Sequence, residues 1–288
     1  MYLDTLYDKL NQSIKESNGI INAEITKLWM IMYTQLIYEA KRGDVRNFLR
    51  WDIINKTLHL KNRIEVDEWY RYLVSLSNWK TKWEKAIEES YVGNPIVFDK
   101  DDRTSPQLVQ HIFNLACFED VMSINVTDMD AVIEFGGGYG SMCRLFYKLN
   151  YDGKYFIYDL KPFSILQTLY LKDLGIDVIN EQNEIWTQVW CTDNLEYMRK
   201  ALQDYKGERI LFIADWSFSE TPIGLRKKVL DIVENQCTYF HFCYQNEFDS
   251  IDNKKYFNEL QSSFKNIVWR HMEIPYHQEN FFLFGKVI

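Results

Sequence analysis

Residues 131–145, AVIEFGGGYGSMCRL, decide the fold. The apolar run Ala131, Val132 and Ile133 reaches an acid at Glu134, crosses Gly136, Gly137, Gly138 and Gly140, and enters a segment with Met142, Leu145, Phe146 and Leu149 at helical spacing. The pattern reads as a buried strand, a tight turn and a helix start. Without Cβ atoms the glycines can take positive φ and let a ligand lie against bare backbone, while the helix start offers unpaired N–H groups. Four of the chain's 12 glycines sit at these positions, too dense a cluster for turn composition alone.

The details of the turn narrow the ligand. The dinucleotide fingerprint G-x-G-x-x-G does not close, because its third position is Ser141 counted from Gly136 and Cys143 counted from Gly138. The phosphate-binding Walker pattern is absent as well. What fits is acid-x-G-x-G-x-G, from Glu134 through Phe135 to Gly140, followed by Tyr155, Phe156, Ile157 and Tyr158 as a second strand ending in Asp159. A carboxylate about 20 residues past the glycines holds the hydroxyls of a nucleoside ribose, since a neighbouring strand presents its tip to the same ligand. This pair resembles the first two motifs of class I S-adenosylmethionine (SAM) methyltransferases. The resemblance implies SAM as cofactor and a Rossmann-like α/β fold.

Composition excludes several alternatives. The 288 residues accommodate one α/β domain with an appendage, or two domains, and 33 basic against 41 acidic side chains give a formal charge of −8. That balance argues against an electrostatic grip on a phosphate backbone, so nucleic acid is not the expected partner. The five cysteines form no C-x-x-C pair, sit mostly among apolar neighbours and read as reduced core residues. No basic region followed by an apolar signal and no run of 18 apolar residues occurs, so a soluble, cytoplasmic chain without a membrane span is expected. Oligomeric state is left open, a homo-oligomer included.

Taken in order, residues 1–90 read as helices. Leu3, Leu6, Leu10 and Ile14 form one stripe, and Ile25, Leu28, Trp29, Met32 and Leu36 form a second that Gly43 closes. Shorter helical pieces follow at 45–49, 69–76 and 79–87, and the alternating Lys and Glu of 80–89 read as a solvated face. The pattern breaks at 91–106, a linker or a loop over the site, and Ser105-Pro106 starts a helix leading into the glycine-turn strand. Residues 1–104 are thus expected to form an N-terminal helical cap with a lid loop, and 105–288 a SAM-binding domain. Beyond Asp159 the strand candidates are 176–179, 186–190, 210–214, 239–243, 267–271 and 281–284, with helices between most of them and Thr192 or Asp193 as a helix cap. Seven strands in a mainly parallel sheet are expected, the last one antiparallel.

The phrases VIEFGGGYGSMCRLFYKL, YDLKPFSILQTLYL, LFIADWSFSE, YQNEFDSIDNKKYF and IPYHQENFFLFG resemble the sugar O-methyltransferases of bacterial polysaccharide and antibiotic pathways. The likeness runs from about Asn47 onward and implies transfer of a methyl group to a hydroxyl of a sugar or glycan precursor. Asp215 departs from it, standing where a small or hydroxyl residue is expected, and Lys161 stands where a second proline is common. In such a fold the ligand sits at the carboxyl ends of the strands. Glu134, Phe135, Gly136, Gly137, Gly138 and Gly140 are then expected around the methionine part of SAM, Asp159 with Leu160 at the ribose, and Thr192 and Asp193 beside the adenine. Asp215, Trp216, Ser217 and Glu220 are expected to face the transferred methyl.

Rival readings each lack a feature. A nucleic-acid amino-methyltransferase would carry a D-P-P-Y type turn where this chain has Asp215-Trp216-Ser217-Phe218, and a nicotinamide enzyme would need the closed glycine fingerprint. A methyltransferase for another small molecule, and a non-catalytic partner subunit of the same fold, remain alternatives. Asp215 and Glu247 are candidate oxygen ligands for Mg²⁺. For the general base His277 leads, because the turn joining the last two strands must emerge on the ligand face and an imidazole suits proton removal at neutral pH; Glu220 is second, and Asp215 completes the candidate catalytic set. His59 and His111 fall in helices, His241 in an apolar strand as a core residue, and His271 at a strand end. Replacing Asp159→Ala removes a charge-assisted acceptor, so SAM affinity measured by calorimetry is expected to fall by roughly 1.5 to 3 kcal/mol. An unchanged affinity would rule out Asp159 as the ribose ligand.

Overall fold

The computed structural model of the chain describes residues 25–58, 62–179, 188–205 and 207–288. The stripe from Leu3 to Ile14, His59 and Trp186 lie outside the described residues. The centre is strand β1 (Ala131–Phe135), all five residues of which are buried, as expected of a parallel strand covered on both faces. Strand β2 (Lys154–Tyr158) pairs with it on one flank and β5 (Ile210–Asp215) on the other, both parallel. Outside β2 lie β4 (Val189–Thr192) and the two-residue edge β3 (Val178–Ile179). Outside β5 come β6 (Tyr239–Gln245), β10 (Asn280–Val287) and β9 (Ile267–Glu273), with β10 antiparallel to both its neighbours.

The expected mainly parallel sheet with one antiparallel member is therefore present. It has eight strands rather than the expected seven, one on each of the eight candidate stretches, with the short β3 at the edge beyond β4. Among the described residues strand β4 runs from Val189 to Thr192. The helix after it, Leu195–Asp204, is capped by Asn194, whose side chain accepts from the Glu196 amide, and not by Thr192 or Asp193. A separate ribbon pairs β7 (Glu247–Phe248) with β8 (Ile251–Asp252).

The N-terminal residues form α1 (Lys27–Arg42), a 3-10 helix (Val45–Arg50), α2 (Asp52–Thr57), α3 (Arg63–Ser75) and a wide turn, Trp79–Trp83, running into Glu84–Ala86. Trp69 of α3 stacks on Phe113 of α4 (Pro106–Met122) at 5.2 Å, and Trp69 and Trp83 are fully buried. One apolar cluster runs from Leu36, Trp69 and Trp83 through α4 to Val132 and Ile157, so these helices share a core with one face of the sheet. The charged stretch 80–89 is less solvated than its pattern predicts. Lys82 turns to Glu119, and Glu89 forms a buried pair with Arg144 at 3.0 Å, which ties the cap to α5 (Ser141–Lys148). Burying charges is tolerated here because each has a partner. The polar segment at 91–105 is fastened to the cap: Arg50 donates to Asn94 O at 2.8 Å and Pro95 O at 2.9 Å, and Asp101 accepts from the Tyr70 hydroxyl at 2.9 Å.

The tips of β1 and β5 meet at Gly136. It holds φ at 75°, and a Cβ there would overlap Ser217, whose hydroxyl donates to the Phe135 carbonyl. Gly136→Ala combines left-handed strain with this overlap, so urea unfolding is expected to register a loss of about 1–3 kcal/mol. An unchanged unfolding midpoint would mean that the two tips are not in contact.

Candidate active site

A cavity of about 300 Å³ opens at the carboxyl ends of β1, β2 and β5. The strand order reverses between β1 and β5, and crevices at such a switch point bind ligands in open α/β sheets. Its floor is the glycine turn with Glu134, Phe135, Gly136, Gly137 and Gly138. Asp159 and Leu160 form one side, and Asp215, Trp216, Ser217 and Glu220 the other. The expected floor and both expected walls thus converge. Gly140 lies behind the turn, where its φ of 97° starts α5 without lining the cavity. Thr192 and Asp193 do not line it either; Thr192 accepts the Asp159 amide through its carbonyl at 3.0 Å. The segment 91–106, read as a linker or a loop over the site, contributes no lining residue because its contacts hold it to the cap.

Asp159 is clamped by its own chain. The Leu160 amide donates to Oδ1 at 2.7 Å, and the Gly138 amide and Gln167 Nε2 donate to Oδ2 at 3.1 and 2.7 Å. Gln167, on α6 (Lys161–Asp173), also donates to the Gly138 carbonyl at 3.0 Å, so one side chain joins the glycine turn to the acid. Even so, burial pushes the Asp159 carboxyl up to about 7, with those donors pulling the other way. Burial likewise raises Glu134 to about 8, although the Tyr155 hydroxyl donates to it at 2.8 Å. Glu220 rises to about 7 for the same cause, against donation from Trp29 Nε1 at 2.7 Å and Gln245 Nε2 at 3.3 Å. Four carboxylates, those of Glu134, Asp159, Asp215 and Glu220, face one cavity, and no lysine or arginine among the described residues lines it.

Asp215 is held differently. Burial opposes its charge, but pairing with His241 Nε2 at 3.1 Å and donation from Asn114 Nδ2 at 2.8 Å keep the carboxyl well below the usual carboxylate range. The Cys243 thiol also donates to Oδ1 at 3.1 Å. Register explains the cluster: Cys243 lies directly across from Asp215, and His241 two residues earlier faces the same side. His241 is a core residue as expected, and it also supports a cavity wall. Asp215, His241 and Cys243 place donor atoms within 4.8 Å, but an imidazole and a thiol do not suit Mg²⁺, which prefers oxygen. The expected partner Glu247 is exposed on the β7–β8 ribbon and lines no part of the cavity, so the Asp215 and Glu247 pairing for a metal is not formed.

The turn at 274–280 brings His277 to the cavity, between the rings of Trp69 and Trp216, each with its centroid 5.8 Å away. Trp216 adopts φ 62° and donates through Nε1 to Asn280 Oδ1 at 2.7 Å, which fastens the β5 turn to the start of β10. The sequence reading found helix α4 but not its part in the site. Gln107, Gln110 and His111 line the cavity, and Asn114 one turn further holds Asp215. Their spacing was the available signal, a polar stripe at i, i+3, i+4 and i+7 along an otherwise apolar helix. His111, expected only as a helix residue, is buried against the cavity, which pushes its imidazole down to about 4. Trp29 and Leu58 from the cap are also part of the lining.

No protein-family model matches the sequence, and no curated protein matches it significantly. Among solved structures the chain is similar to a Klebsiella pneumoniae protein assigned as an O-methyltransferase, with 12% identity over 81% of this chain and 94% of that one, at a TM-score of 0.44. It is also similar to a SAM-dependent methyltransferase from Aquifex aeolicus (16% identity, 61% and 92% covered, TM-score 0.40). A third is an rRNA methylase from Streptococcus thermophilus (11%, 62% and 94%, 0.40). These are remote likenesses of fold and assign this chain neither ligand nor reaction.

The raised carboxyls make stability depend on pH. A group whose folded pKa lies above its unfolded one stabilises fully below the unfolded value and loses that contribution as pH rises through the folded one. For Glu134, Asp159 and Glu220 the loss completes near pH 7 to 8, whereas the depressed His111 acts oppositely only below about 6.5. The thermal midpoint is therefore expected to fall between pH 6.5 and 8, with a shallower fall in Glu134→Gln. A midpoint that rises across this window would contradict the assignment.

Proposed function

We propose that the chain is a SAM-dependent O-methyltransferase that transfers a methyl group to a hydroxyl of a sugar or similar neutral polyhydroxylated small molecule. The observation that carries this is the charge of the cavity: a glycine cradle surrounded by four carboxylates, with no lysine or arginine among the described residues lining it. A pyrophosphate-bearing dinucleotide would find no cationic side chain there among the described residues. A ligand with ammonium and sulfonium groups relieves the burial penalty on Glu134, Asp159 and Glu220, because a nearby cation favours the ionised carboxylate. Asp159 then offers its remaining lone pairs to the ribose hydroxyls, and the bare backbone of Gly136 and Gly138 admits the amino-acid end.

SAM supplies an electrophilic methyl on a sulfonium sulfur, which keeps the C–S electron pair as the acceptor oxygen forms the new C–O bond. The chain's part is to position the hydroxyl and take its proton. His277 suits the second task, since its Nδ1 is engaged by Glu65 at 2.8 Å while Nε2 has no partner among the described residues. Glu220 suits it less well, as each of its oxygens already accepts from an indole or an amide. Acceptor binding falls to Gln107, Gln110 and His111, neutral groups that match hydroxyls, with the Trp216 indole as an apolar face.

Calorimetry with SAM, followed by transfer of tritiated methyl to a panel of unphosphorylated glycosides, tests the proposal. His277→Ala is expected to lower turnover by roughly 10²-fold or more and leave SAM affinity nearly unchanged. Absence of SAM binding would defeat the function, and near-parent turnover in the variant would move the base to Glu220.

A further inference from the structure

We propose that Glu65 is the positioning residue for His277, fixing its imidazole as the Nδ1–H tautomer so that Nε2 is the basic nitrogen presented to the cavity. The inference rests on the reading of His277 as proton acceptor and adds a residue from the cap, 212 positions away in sequence. Glu65 occupies the third position of α3, where a glutamate ordinarily turns back to bond the amide of the N-cap residue. Here it does something else. Its Oε1 accepts from the Asn62 side-chain amide at 2.7 Å, and its Oε2 is bonded to His277 Nδ1 at 2.8 Å.

An ionised carboxylate only accepts, so this bond assigns a proton to Nδ1, and in the neutral imidazole the lone pair then lies on Nε2. Neither partner is free to drift. Glu65 is buried, with Asn62 holding its second oxygen, and Asn62 is itself fixed as the cap that accepts the Ile64 amide at 3.2 Å. One turn along α3, Trp69 donates through Nε1 to the Pro275 carbonyl at 2.8 Å and packs on the His277 ring. Helix α3 therefore grips the 274–280 turn at two points, and the carboxylate orients the imidazole just where the cap meets the strand ends. A cap that was only a lid would need no buried carboxylate on that nitrogen.

Glu65→Gln gives a test that does not depend on the acceptor. Asn62 keeps the side-chain oxygen facing it, so the new amide nitrogen occupies the place of Oε2 and donates to Nδ1, which forces the proton to Nε2. Long-range ¹H–¹⁵N spectra of the labelled protein in mildly alkaline buffer are expected to show Nδ1–H at His277 in the parent and Nε2–H in Glu65→Gln. Methyl transfer by the variant is expected to fall by roughly 10²-fold or more at unchanged SAM affinity. An Nε2–H tautomer in the parent overturns the proposal, as does a variant that keeps the parent tautomer and turnover. The parent spectrum alone decides if the variant does not fold. The spectra need neither SAM nor acceptor, so failure of the methyltransferase reading, seen as absent SAM binding, is distinguishable from failure of the tautomer assignment.

Discussion

The close meeting of Gly136 with Ser217 is the constraint on which the site depends. Two parallel strands that diverge in connectivity must still end side by side, and the absence of one Cβ lets the Ser217 hydroxyl reach the Phe135 carbonyl. That contact fixes the glycine turn against the β5 turn, so the walls carrying Asp159 and Asp215 face each other across a single cavity. Gln167 then closes the opposite side by bonding both the glycine turn and Asp159. The backbone geometry of the turn is thus secured from two sides.

The charge of this cavity works against the fold. Glu134, Asp159 and Glu220 are all raised by burial, which means that ionising them in the folded chain costs free energy. Each has neutral donors around it, a hydroxyl, amides or an indole, which pull its carboxyl back down only in part. A cation would offset the remaining penalty, and Asp215 shows the contrast, because pairing with His241 keeps it acidic in spite of the same burial. Functional sites are where such local conflicts are tolerated.

The N-terminal helices do more than cover apolar surface. Trp29 reaches Glu220, Glu65 reaches His277, and Trp69 reaches Pro275, so three hydrogen bonds run from the cap to elements that carry candidate catalytic groups. The shared aromatic core that includes Trp69 and Phe113 keeps these long-range bonds in register. The wide sequence separation of the partners makes each of them dependent on the tertiary packing.

The sequence by itself determined the parts governed by local chemistry. Periodicity and glycine placement located β1, β2, β5, β6, β9 and β10, and the spacing from Glu134 to Asp159 set out the floor and one wall of the cavity, since each of these depends on neighbours in the chain or on the next strand. It also put His277 on the ligand face, because an antiparallel final strand must begin there. Tertiary structure alone decided which side chains pair across the fold. Asp215 meets His241 and Cys243 through the β5–β6 register, with Glu247 left on a ribbon, and Gln107, Gln110 and His111 of α4 turn into the cavity. Glu65 finds His277 only after α3 docks on the 274–280 turn. A hydrogen bond between residues 212 positions apart leaves no trace in local pattern, because its partners are brought together by the packing of the helices and sheet between them.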